Sequence, residues 1–185
     1  MEKKKKSEIL DQYDYVDDEY IRKTSPDYIQ AIGHFVLEFS ALEHLINLGI
    51  ADQINDRAHF PGYQVVELLT TKNKIELLSR LIGSYLYHMN SKKQEKFKNL
   101  ISRLRELNSF RNKVLHANWM SASKNGTVRT KIIVKEHEGA VKFERAKLTP
   151  QIIDKNSKDC SKTRVELEKF IADAVDFGLT HLFEN

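Results

Sequence analysis

Apolar residues recur at steps of three and four along most of this chain, give way to a short β-rich stretch, and then resume the helical period. Ser25 before Pro26 has the form of a helix start, with proline at the first helical position. From there Val36, Phe39, Ile46, Ile50 and Ile54 share one face, with Phe35 and Leu42 beside them. This predicts a first long helix that breaks at His59–Gly62, "HFPG". A second helix is predicted over 63–89 from Val66, Leu69, Ile75, Leu78, Leu81, Ile82 and Leu86. Asn90 and Ser91 separate it from a third, which carries Phe97, Leu100, Ile101, Leu104, Leu107, Val114 and Leu115. Then the period changes. "TVRTKIIVK" at 127–135 follows the turn "KNG", and "VKFERAKLT" at 141–149 is a second candidate strand, with Gly139 between them as turn residue. A last helix is predicted over about 161–183, with Leu167, Phe170, Ile171, Ala174, Phe177 and His181 on its stripe. The reading is a mainly α protein: four long helices and one β-hairpin, at about 125–149, inserted before the last of them.

Composition narrows the class. The 185 residues suit one domain, expected over 27–183 behind a polar, partly disordered segment at 1–26. With three prolines and seven glycines, little of the chain is left for loops. The lone Cys160 excludes an internal disulfide and any zinc site built on paired cysteines. No apolar run approaches the ~20 residues needed to span a bilayer, and "MEKKKKSEIL" lacks the apolar core of a signal peptide. A cytoplasmic protein is expected, with no membrane partner. The net charge of +4 is modest for a dedicated duplex-DNA binder. A local basic groove would still suffice for RNA. The Lys3–Lys6 run reads as a solvated tail.

Candidate chemistry gathers at "SFRNKVLHANW", 109–119. At ~100° per residue, Arg111 falls in the middle of the third helix's apolar stripe, among Leu100, Leu104, Leu107, Val114 and Leu115. Asn108, Asn112 and His116 continue from it as a polar band that runs off one edge. A charged arginine aimed at a core is costly unless paired or opened to a cavity. The band is therefore expected to line a groove or an interface. Glu43, on the first helix's apolar face, is a candidate partner for Arg111. A structural salt bridge with a boundary histidine fits the same spacing. Trp119 and Phe110 flank the band, and Trp119 is a candidate to stack on a base as well as to pack. No Gly-rich phosphate loop, nucleophile elbow or His-Glu-x-x-His zinc helix is present.

Arg111-Asn112-Lys113-Val114-Leu115-His116 resembles the Arg-x4-His motif of the HEPN superfamily, with its frequent polar residue after the arginine. The resemblance covers roughly 27–183 and implies a bundle of four or five helices with the motif near a helix end. It also implies a homodimer and, in many members, a metal-independent endoribonuclease of toxin–antitoxin or phage-defence systems, with RNA as partner and an antitoxin as a further one. No cofactor and no metal are expected. The chemistry fits. RNA breaks when its 2′-OH attacks the adjacent phosphate, which needs a base, an acid and positive charge on the phosphorane. Histidine titrates near neutrality, and arginine presents a fixed fork to phosphate oxygens. The expected roles are His116 as general acid/base, Arg111 on the phosphate, Asn112 orienting, Glu43 and Asn108 supporting, and Lys113 and Trp119 touching RNA. The hairpin departs from the family pattern, and either covers the site or builds a partner surface. Non-catalytic dimerisation, protein-interaction or nucleotide-binding modules share the same bundle and are the alternative.

Overall fold

The computed structural model describes residues 18–55, 58–86, 89–122, 125–135 and 140–182, with side chains given as far as 173 in the last helix. Among these residues, five helices and one hairpin follow in order: α1 (Asp18–Ile54), α2 (Phe60–Glu67), α3 (Thr71–Leu86), α4 (Ser91–Leu115), β1 (Thr127–Lys135), β2 (Ala140–Lys147) and α5 (Pro150–Leu182). A single 3-10 turn, Trp119–Ser121, lies between α4 and β1. No described helix is long and apolar enough to cross a membrane. The chain divides into two compact bodies. One is built from 35–110 and the helix from 156 onward, the other from 18–34 and 111–155.

In the first body the core face of α1 is Phe35, Phe39, Leu42, Ile46 and Ile50, all buried. Val36 and Ile54, placed in the core by the apolar pattern, are 38% and 37% exposed instead. The stripe is turned so that the two largest residues at its start face inward. Helix directions follow from paired contacts. Glu43 of α1 meets Thr71 and Lys74 of α3, and Gly49 further along is approached by Leu78 of α3 and Ile171 of α5. The Glu38 charge acts on Cys160 one level below that. So α1, α3 and α5 run parallel. Arg103 pairs with Glu166, and Phe97 stacks on Phe170 at 5.0 Å, so α4 runs against them.

Two successive helices can lie parallel only if the chain returns between them. Helix α2 makes that return. At ~1.5 Å per residue, α1 climbs ~16 Å from Glu43 to Ile54, and the eight residues of α2 come back ~12 Å. Gly62 lies against the backbone of Ala51, where any Cβ would collide. The expected break at "HFPG" is thus a helix start, with Pro61 in the first turn. The predicted helix over 63–89 is two helices, because Thr70 caps α3 through a bond from Asn73 N to Thr70 Oγ1, 3.3 Å.

The second body holds the hairpin. Both strands form where the β-rich runs predict them. Gly126 has φ +75°, and a Cβ there would meet Thr149 Cγ2 at 2.5 Å; only glycine fits. Thr149 in turn caps α5, its Oγ1 accepting from Ile152 N at 3.4 Å, with Pro150 as first helical residue. The last helix therefore begins at Pro150, well before the predicted 161. Helix α1 is described from Asp18 onward, with Pro26 inside it, so Ser25–Pro26 is not its start. The Lys3–Lys6 run and the Gly139 turn lie outside the described residues.

Candidate functional site at the end of α4

The buried arc of α4 is Phe97, Leu100, Ile101, Leu104, Leu107, Asn108 and Val114. Arg111 sits at the centre of that arc by helical angle, as the spacing predicts, but at the final turn. There it is half-buried, and Leu115 is 43% exposed. The Arg111 guanidinium Nη1 donates to Asn112 Oδ1 at 3.1 Å. Asn112 is otherwise open to solvent, as are Lys113 and His116. His116 directly follows the last helical residue, its backbone N bonded to the Asn112 carbonyl at 3.0 Å. The arginine is thus oriented by its own neighbour, and the histidine projects where the helix stops.

Trp119 is held structurally. Its indole N–H donates to the Val114 carbonyl at 3.1 Å, and its ring lies 5.4 Å from that of the buried Tyr28. The two rings wall a cleft of 260 Å³ with Thr24, Ser25, Ile29, Ile32 and Ala122. Trp119 is half-buried in this position and lines the cleft. Glu43 belongs to the first body. Its Oε1 accepts from Thr71 Oγ1 at 2.9 Å and from Lys74 Nζ at 3.0 Å. Among the described residues these partners of Glu43 both lie on α3. Asn108 is buried.

Sequence reasoning did not see how tightly the hairpin is tied to the motif. Two residues beyond His116, Asn118 forms an antiparallel bridge with Arg129 of β1. Asn118 N donates to the Arg129 carbonyl at 2.7 Å, and Arg129 N donates to Ser121 Oγ at 2.8 Å. Polar residues at 118 and 121 were the available signal, but their partner is eight or more residues away in sequence. Among the described residues no group of three His, Cys, Asp or Glu side chains is arranged to hold a metal ion.

Compared with family models, with curated proteins and with solved structures, the chain matches none. The likeness to the HEPN superfamily therefore rests on Arg111–His116 and on the placement of that motif at the end of a helix in a helical fold.

Proposed function

We propose that the protein is a metal-independent endoribonuclease of the HEPN type, active as a homodimer. Arg111 binds the scissile phosphate and its developing charge, held by Asn112. His116 moves the protons: it takes one from the 2′-OH, and an imidazolium gives one to the leaving 5′-oxygen. A two-fold partner's copy of the same histidine meets the need for two proton-transfer groups. Products carry 2′,3′-cyclic phosphate and 5′-OH ends. A toxin or phage-defence effector in the cytoplasm, restrained by an antitoxin, is the setting that the family likeness suggests.

The observation that carries this reading is the openness of the motif. Asn112, Lys113 and His116 are exposed, and Arg111 is half-buried with its fork oriented. A second reading, a nucleotide-binding module without turnover, draws on the 260 Å³ cleft between Tyr28 and Trp119. The two separate in one assay. Labelled single-stranded RNA is incubated with wild type and His116→Ala in EDTA, and product ends are identified. Cleavage by the wild type alone, with cyclic phosphate ends, is the expected result. Equal cleavage by both proteins sinks the mechanism. No cleavage by either, with saturable thermal stabilisation by nucleotides, favours the module.

A further inference from the structure

The hairpin has two unlike faces. Residues directly opposite in an antiparallel ladder share a face, and faces alternate along each strand. The register pairs Val128 with Ala146, and Arg129 with Arg145; after an irregularity at Thr130 it pairs Lys131 with Glu144 and Ile132 with Phe143. The face of Val128 is closed at its base, where Val128 and Leu148 are buried. The opposite face carries Arg129, Arg145 and Lys147 toward the base, then Phe143, Ile132 and Val134 toward the tip. Arg145 and Lys147 are exposed, Ile132 and Val134 are 54% and 64% exposed, and Arg129 lies 5.2 Å over the Phe143 ring.

Two arginines directly opposite one another are unfavourable in an isolated sheet. Here they are the middle and outer members of a three-residue row, Asn118–Arg129–Arg145, because the Asn118 bridge extends the ladder past β1. The Arg129 backbone is fixed at its carbonyl by Asn118 N and at its N–H by Ser121 Oγ. The bulge at Thr130 then brings Ile132 onto the arginine face, where Phe143 already stands by the alternation of β2. A row of guanidinium groups next to an aromatic ring and exposed aliphatic side chains is the combination that tracks a single-stranded nucleic acid, with charge for phosphates and flat surface for bases. The row starts two residues from His116.

We infer that this face of the hairpin is the RNA-binding platform of the protein, with Arg129 and Arg145 on the backbone phosphates and Phe143 under a base. The choice of RNA rests on the proposed ribonuclease reading. The platform itself rests on the register and the charge. The hairpin then does not cover the site but leads substrate to it.

The test measures binding apart from cleavage. Fluorescence anisotropy of labelled single-stranded RNA is read in the His116→Ala background over a salt series. Arg129→Gln/Arg145→Gln is expected to weaken binding at least ~10-fold and to lower the log–log salt slope by about 1.4, about 0.7 for each phosphate no longer neutralised. Arg129→Lys/Arg145→Lys keeps the charge and restores the slope, which a merely structural role would not do. Phe143→Ala is expected to weaken binding about tenfold and to leave the slope unchanged. Unchanged affinity and slope in the glutamine variant overturn the platform. So does binding to anionic phospholipid vesicles, but not to RNA, that is abolished in the same variant. If RNA binds as expected and the wild type never cleaves it, the ribonuclease reading fails and the platform stands. If Arg129→Gln/Arg145→Gln in a chain that keeps His116 cleaves as fast as wild type at sub-saturating RNA, the platform fails and the ribonuclease reading stands.

Discussion

Arg103 and Arg105 of the first body and Arg129 of the hairpin keep different company. On α4, Arg103 is paired with Glu166, and Arg105 meets both oxygens of Glu76 at 2.8 Å. On β1, Arg129 has the face of Phe143 and, among the described residues, no carboxylate. A guanidinium already forked onto a carboxylate has its strongest acceptor in place. One resting on a ring keeps its donors for an anion. The core of the first body and the tip of the hairpin differ in the same way, although Leu37, Phe60 and Leu68 of the first body are exposed as well. Leu42, Leu104 and Ile46 are sealed, while Ile132 and Val134 stand in solvent. The apolar core of the first body is closed, while the hairpin face leaves aliphatic and cationic side chains at the surface.

The largest expected effect that sharpens this contrast is in the core. Leu104→Ala should cost about 3 kcal/mol of unfolding free energy, since it empties a fully buried site. Ile132→Ala should stay within about 0.5 kcal/mol. Denaturant unfolding measures both, and equal costs would break the contrast. Next is Glu43. Its carboxylate serves Thr71 and Lys74 in a half-buried position, so Glu43→Ala should cost about 2 kcal/mol. Its effect on any RNA cleavage should be no larger than the stability loss explains. A selective loss of cleavage in a fully folded protein would return Glu43 to the site.

The smallest effect is on pH dependence. The hydrogen bond from Arg103 holds the Glu166 carboxyl below its ordinary value, with burial opposing. A carboxylate depressed on folding stabilises above its unfolded pKa of about 4.3, and that share is lost as pH falls through the folded value. The acid limb of stability should therefore shrink in Glu166→Gln below about pH 4.5 and be unchanged at pH 7 apart from the missing pair. An identical acid limb in both proteins would remove the pair from the account. Both side chains are about one-third exposed, so solvent screens the contribution.

How far the sequence could be read is seen best at two prolines. Ser25–Pro26 and Thr149–Pro150 carry the same start signal. Thr149 caps a helix and Pro150 opens it, whereas Pro26 lies inside α1. Proline at a first turn costs nothing, because that N–H has no helical partner. Inside a helix it forfeits one bond and is still carried if the flanking residues stay helical. The local signal is the same, so only the flanks decide. The α3 start was missed for a related reason: Thr70 and Asn73 form a cap inside an unbroken apolar rhythm. The hairpin was legible almost to the residue, because two short β-rich runs, each bounded by turn residues, break the helical period. At the motif, spacing put Arg111 on the inward angle of α4. It could not show that the arc ends there and leaves the group half-open.

By itself the sequence determined the helical class, the hairpin and its position, and the angular place of Arg111, Asn112 and His116 on one helix. These are local properties, set by side-chain period and backbone preference within a few residues. Tertiary structure decided which helices run parallel, which carboxylate holds which cation, and that Arg129 is laid beside the motif through Asn118. Such pairings join residues far apart in the chain, and short-range periodicity carries no record of them.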